Sequence, residues 1–205
     1  MAAVAIQKIG CKREVTDEEL MLAVQQGDRE AFGQIVARYQ EDAVRLAYHY
    51  VKNWEDARDL SQDAFVKLFT QADRYDPSQP FRPWFFRILV NHALNHLSRK
   101  KKIRFFSIFR RQPDGNEMNI LDTVPDKSDG EQDFYHRQTV WSALEHLPQA
   151  HRNVLILREL EGLPEQEVAD ILGCSVGTVK SRLHYAKKKM RQYLVRELNE
   201  IEGER

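Results

Sequence analysis

A chain of 205 residues with 42% hydrophobic content has room for one or two packed domains. No apolar run is long enough to cross a bilayer and residues 1–13 lack a signal-peptide core, so membrane insertion is not expected. Two cysteines, Cys11 and Cys174, make no disulfide framework and suit a reducing cytoplasm, while a formal net charge of zero excludes a chain that is basic throughout.

Residues 1–16 form an extension. Asp17 is placed to cap a short helix ending at Gly27, and Asp28 to cap a long one in which Phe32, Ile35, Val36, Tyr39, Val44, Leu46 and Ala47 recur at helical spacing. A third helix over about 55–72 turns Ala57, Leu60, Ala64, Phe65, Leu68 and Phe69 inward. Asp76-Pro77-Ser78-Gln79-Pro80 is a loop, because prolines and aspartate favour a turn there. A fourth helix starts near Pro83, with proline tolerated in the first turn, and runs through Trp84, Phe85, Ile88, Leu89, Ala93 and Leu97 into a basic tail.

Over residues 107–133 the periodicity fails. Pro113, Gly115, Pro125 and Gly130, with seven acids between residues 114 and 133, predict a linker. Helices are expected over 134–147 and 149–160, followed by a helix-turn-helix over 163–190. The expected fold is all-α: two small helical domains, residues 17–106 and 134–205, joined by an irregular acidic linker.

The zero net charge hides a segregation. No acid lies between Asp76 and Asp114, a stretch that includes Arg82, Arg87, Arg99, Lys100, Lys101, Lys102, Arg104, Arg110 and Arg111. None lies between Asp170 and Glu197, where Lys180, Arg182, Lys187, Lys188, Lys189, Arg191 and Arg196 fall. Two acid-free basic blocks point to two surfaces that face polyanions.

In the second block Pro164 opens a short helix, Gly173-Cys174-Ser175 is the turn, and Ser175 can cap the helix that follows. Val176, Val179, Leu183, Ala186 and Met190 make one apolar stripe along that helix. Thr178, Lys180, Ser181, Arg182, His184, Tyr185, Lys187 and Lys188 are left on the other face. Early residues of such a helix reach base edges, and its cations meet phosphates. Arg182 serves either DNA or a structural partner.

The first block is different in kind. Phe81, Trp84, Phe85 and Phe86, with Tyr75, crowd one end of the fourth helix, and Asn91 and Asn95 stand four apart before the run Arg99-Lys100-Lys101-Lys102. Bases of single-stranded nucleic acid stack on aromatics while cations neutralise their phosphates, and carboxamides pair with unpaired base edges. Most of these aromatics have the spacing of core residues, and spacing alone leaves Asn91 and Asn95 as base readers or as an ordinary polar face. His92 and His96 have metal-ligand spacing without a partner to complete a site, so neither metal nor cofactor is expected. Asp56, Asp59 and Asp63 form an acidic ridge on the third helix, read as a protein-docking surface before a magnesium site; no convergent catalytic set accompanies it.

These residues fall into recognisable motifs. Gly27-Asp28-Arg29-Glu30-Ala31-Phe32, Asp59-Leu60-Ser61-Gln62-Asp63-Ala64-Phe65 and Phe81-Arg82-Pro83-Trp84-Phe85-Phe86-Arg87-Ile88 resemble conserved region two of bacterial extracytoplasmic-function (ECF) sigma factors, of the sigma-70 superfamily. Leu147-Pro148, Leu157-Arg158-Glu159-Leu160-Glu161-Gly162-Leu163 and Val176-Gly177-Thr178-Val179-Lys180-Ser181-Arg182 resemble region four.

The resemblance implies a subunit that binds core RNA polymerase, directs it to promoters and helps open the −10 region, under the control of an anti-sigma factor. It implies that Asp56, Asp59, Gln62 and Asp63 dock on the clamp helices of the largest polymerase subunit, with the flap as a further polymerase contact. Tyr75, Asp76, Ser78, Phe81, Arg87, Asn91, Asn95, Arg99 and Lys100 would serve the −10 element and its non-template strand. Arg158, Thr178, Lys180, Ser181, Arg182, His184, Tyr185 and Lys187 would serve the −35 element. His184 and Tyr185 depart from the residues common there, so the −35 sequence does not transfer. Arg110, Arg111 and the extension before Val15 have no role that the resemblance supplies.

Overall fold

The computed structural model describes residues 15–110 and 131–203, with side chains over 15–101 and 138–197. Among the described residues there are eight α-helices and no strand. The extension before Val15, the linker core over 111–130 and the side chains of Arg110 and Arg111 lie outside them.

Helix α1 (Asp17–Gln25) is capped by Thr16, not by Asp17. The Thr16 hydroxyl accepts from the Glu19 amide and the Glu19 carboxylate accepts from the Thr16 amide, a reciprocal capping box. Asp17 is thereby free to take Arg38 Nη1 at 2.6 Å and the Tyr39 hydroxyl, tying α1 to α2 (Arg29–Val51). Asp28 caps α2 as expected, accepting from the amides of Glu30 and Ala31. Helix α3 (Trp54–Thr70) is capped by Asn53, and a 3₁₀ turn over Ala72–Arg74 leads into the loop.

Helix α4 (Phe81–Arg110) starts two residues before Pro83, because the Glu18 carboxylate reaches from α1 to accept the Phe81 amide at 3.1 Å. Pro83 then sits in the first turn, where no amide is needed. The helix continues through residues 107–110, and α5 (Glu131–Glu145) begins three residues before residue 134, so both ends of the expected linker are helical.

The α4 aromatics lie inside. Phe81, Phe85 and Phe86 are essentially fully buried, meeting Tyr39 edge-on and Phe65 in a stack. Each such burial stabilises the fold by roughly 1.5–3 kcal/mol. This explains why the helix exposes its other face.

The second half is α5, α6 (Gln149–Leu155), α7 (Glu165–Leu172) and α8 (Val176–Gly203). Helix α6 runs into a π turn over Ile156–Leu160, after which Gly162 takes a positive φ of 66°. The two halves are packed together. Val154, Leu157, Leu163, Val168 and Ile171 belong to the same buried cluster as the α1–α4 core, and α4 lies against α7.

Candidate nucleic-acid interface

The helix-turn-helix is built as its sequence predicts. Gly173 ends α7 in the left-handed conformation, φ 62°. The Ser175 hydroxyl accepts the Thr178 amide at 3.1 Å, capping α8. Val179 and Ala186 are buried, with Leu183 and Met190 packed at the edge of the core. Lys180, Ser181, His184, Tyr185 and Lys187 are exposed, while Thr178, Arg182 and Arg158 are half-buried. Lys180 and Lys187 are neutralised within this half, by Glu165 at 3.5 Å and Glu159 at 2.9 Å. Such exposed pairs are worth at most about 1 kcal/mol, so a phosphate can replace the carboxylate at little cost. Tyr185 leans on His151, with ring centroids 4.4 Å apart.

The first half presents a second polar face. Asn91, Asn95, Arg99 and Lys100 are exposed along α4, opposite its aromatic face. Asn95 and Arg99 line a cleft of about 110 Å³ between α3 and α4, together with Asp63, Lys67, His92 and His96. Burial, and then the Lys67 charge, hold the His92 imidazole below its usual range. Among the described residues no group of three or more His, Cys, Asp or Glu is placed to hold a metal.

The loop after α3 is held at several points. The Tyr75 hydroxyl donates to the Gln79 carbonyl at 2.6 Å, and Gln25 donates to the carbonyls of Ala72 and Tyr75. Asp76 accepts the Ser78 amide, which holds its carboxyl below the usual range. Asp76 and Ser78 are exposed on the loop, whereas Tyr75 and Phe81 are 3% and 1% exposed and stand behind it.

On α3, Asp59, Gln62 and Asp63 are exposed in a ridge that continues into exposed Val66 and Phe69. Asp56 is turned away from it: its carboxylate takes Lys100 Nζ and lies 3.7 Å from His96 Nε2. Two residues expected to meet different partners are thus paired with each other.

Sequence reasoning missed a cluster between the halves. Glu161, just beyond the π turn, has a side chain only 1% exposed. It meets Arg45 at 3.1 Å and His49 Nε2 at 3.2 Å, both on α2. Burial raises the Glu161 carboxyl above its usual range despite Arg45, and burial beside Lys52 and Arg45 drives His49 down to about 4. Beside them Arg82 lies 3.7 Å from Glu167, and Arg87 donates to the Asp170 carbonyl near the end of α7. The partners are 116 and 83 residues apart in the Arg45–Glu161 and Arg87–Asp170 contacts, so no local spacing announces them.

A capped helix-turn-helix with a cationic second helix, joined to a helical half that exposes a basic carboxamide face, defines a two-part nucleic-acid-binding protein. Residues 35–103 match the family model for Sigma-70 region 2, and residues 137–190 that for Sigma-70, region 4. The ECF RNA polymerase sigma-E factor of Escherichia coli (strain K12) is 32% identical over 186 residues, covering 85% of this chain and 92% of that protein. RNA polymerase sigma factor SigV of Bacillus subtilis (strain 168) is 33% identical over 164 residues, 79% of this chain and 90% of that one. CnrH, solved in complex with the cytosolic domain of CnrY, aligns with a TM-score of 0.63 at 27% identity, over 87% of this chain and 96% of that one. The chain belongs to the ECF sigma factors and is an alternative RNA polymerase sigma factor, a transcription initiation factor.

Proposed function

We propose that α1–α4 bind core RNA polymerase and read the −10 element while α5–α8 read the −35 element. The ridge Asp59, Gln62 and Asp63, extended by Val66, docks on polymerase. Asn91 and Asn95 meet an unpaired base of the non-template strand, and Asp76 and Ser78 supply the loop side of that site, with Tyr75 and Phe81 holding the loop from behind. Arg87, Arg99 and Lys100 follow the backbone phosphates. Thr178, Lys180, Ser181, His184 and Tyr185 face the −35 duplex, with Arg158, Arg182 and Lys187 beside them. Asp56 serves the polymerase side once Lys100 leaves it for a phosphate. The domain division at residues 17–106, 107–133 and 134–205 follows from the same assignment. The chain supplies promoter specificity without a catalytic site of its own and works in the cytoplasm.

The observation that supports this most is the placement of Asn91 and Asn95, exposed in line with Arg99 on a helix whose opposite face is locked into the aromatic core. Rigid backing of this kind is what an amide needs to hold a base edge in register. Asn91→Ala is expected to slow open-complex formation on a cognate promoter by tenfold or more. One bidentate base contact is worth about 1–3 kcal/mol. Binding of the closed duplex should stay within about twofold, and equal losses in both assays would remove the base-reading role. Failure to form a complex with core polymerase would remove the whole assignment.

A protein regulator is part of the proposal. CnrH was solved with the cytosolic domain of CnrY, and a similar chain that exposes both a docking ridge and basic faces offers an anti-sigma factor the same kind of target. Envelope or other stress is the signal we assign to its release.

A further inference from the structure

We propose that the cleft between α3 and α4 is a phosphate site: Lys67, His92, His96 and Arg99 take one backbone phosphate of the DNA strand that Asn91 and Asn95 hold, and His92 gains a proton from solvent as it binds. The inference rests on the assignment of the α4 face to the −10 element. It adds Lys67, His92 and His96, which that assignment leaves without a role.

The cleft is made by two helices. Asp63 and Lys67 stand four apart on α3, facing His92 and His96, four apart on α4. Exposed Asn95 and Arg99 complete the lining on the α4 side, above buried Leu60. Every described lining residue belongs to α3 or α4, so no charge of α1, α2 or α7 faces the two imidazoles across it. Its volume of about 110 Å³ is far below the ~300–1,000 Å³ that enclose a whole small molecule. It suits a single tetrahedral anion.

Charge selects the sign of the occupant. With both imidazoles neutral, Lys67 and Arg99 already outweigh the one lining carboxylate, Asp63, and each proton added to a ring widens the surplus. The other carboxylate at this end, Asp56, is engaged by Lys100 and lies 3.7 Å from His96 Nε2. Burial, then Lys67, hold the His92 ring below its usual range against Asp63, and Arg99 and His96 act in the same direction as Lys67. A phosphate beside the ring reverses that balance, because an opposite charge within ~4–6 Å favours the protonated form. The rings are not committed elsewhere: His92 Nδ1 and His96 Nε2 are buried without a hydrogen-bond partner. Rings that no internal hydrogen bond fixes can turn a nitrogen toward an anion in the cleft.

Position makes a DNA strand the source of that anion. Asn95 and Arg99 belong both to the cleft and to the exposed row that Asn91 begins. A base held by the two carboxamides lays its own backbone along this row. The neighbouring phosphate then meets the cleft about one helical turn away, ~5.4 Å along the axis.

The test uses the full chain without polymerase. The probe is a fluorescein-labelled single-stranded 12-mer of mixed sequence, compared with the same 12-mer carrying uncharged methylphosphonate linkages. The bound state holds a proton on His92 that the free state lacks, so affinity for the charged probe should rise as pH falls. Between pH 8 and pH 6, with folding checked at both, the rise should be about threefold or more. His92→Gln should remove most of it, and His96→Gln should weaken binding about threefold at pH 6. Lys67→Gln should flatten the slope of log affinity against log salt by ~0.7, one phosphate on a single strand. Asp63→Asn removes the opposing carboxylate and should tighten binding about threefold, a gain that a merely structural role does not give. In the unaltered chain the His92 ring signal in NMR should titrate about one pH unit higher with the probe bound, a measurement that needs no variant to fold. An unmoved His92 titration, or the same pH dependence with the methylphosphonate probe, overturns the site. A His92 signal that moves with inorganic phosphate alone and not with the oligonucleotide gives the cleft to a free anion and overturns its part in DNA binding. Weaker binding in Asn91→Ala, with none of the cleft variants changed, leaves the −10 assignment standing and removes the cleft. The reverse pattern removes the −10 role of Asn91 and leaves the cleft.

Discussion

Lys52 closes α2 in the left-handed conformation, φ 58°, and is the one non-glycine residue with positive φ among the described residues. A side chain in that region costs roughly 1–2 kcal/mol relative to the right-handed one, which is why glycine usually ends helices this way. The amine is no better placed. Its Nζ lies over the Trp141 ring without a hydrogen-bond partner, and burial pushes it down to about 6. Lys52→Gly relieves the backbone and removes the buried amine at the loss of the stem's packing on Trp141. It is expected to stabilise the chain by about 1 kcal/mol, a rise of roughly 2–4 °C in a thermal melt. A lower melting temperature would show that the stem supports Trp141 by more than the backbone strain costs. Strain retained at one residue in an interface marks a place where local stability was not the only requirement.

Among the elements, α8 depends most on one side chain. Ser175→Ala removes the acceptor for the Thr178 amide and should cost about 1 kcal/mol, concentrated in the first turn. That turn bears Thr178, Lys180 and Ser181, so binding to a −35 duplex should weaken severalfold while promoter opening from a preformed complex is unchanged; a loss in both steps would mean the cap supports more than α8. This element was legible because everything that makes it is local: Gly173 for the turn, Ser175 for the cap, and an apolar stripe at helical spacing. Helix α4 was legible in part. Its aromatic run signals burial, but aromatics beside a basic track suit a core and a stacking surface equally. Only the packed structure puts Tyr75 and Phe81 behind the loop and leaves the surface to Asn91 and Asn95. The π turn over Ile156–Leu160 had no signature at all, since it swaps one hydrogen-bond register for another in an ordinary helical sequence. Its consequence is the placing of Glu161. Nor could charge patterning assign Asp56, whose partner Lys100 lies 44 residues on.

For the whole molecule, the two basic blocks were visible as sequence, but the acids that answer them at the interface were scattered singly and looked like solvated surface. The contact makes a pH dependence. His49 is held down to about 4 by burial and the nearby Lys52 and Arg45 charges, so between about pH 6.5 and 4 the unfolded chain binds a proton that the folded one does not. Stability conferred by neutral His49 is therefore complete above 6.5 and lost as pH falls through 4. Lys52, lowered to about 6, acts in the same direction at higher pH, and Glu161, raised by burial, in the opposite one. The melting temperature should fall between pH 7 and pH 5, and His49→Gln, which keeps a donor for Glu161, should remove most of that fall. A fall of equal size in the variant would place the titration elsewhere. The shared core of the two halves has one more consequence, for how the chain comes apart. Val154, Leu157 and Leu163 belong to the same buried cluster as the α1–α4 core, so loss of either half exposes apolar surface of the other, and the chain should melt as one cooperative unit rather than as two independent domains.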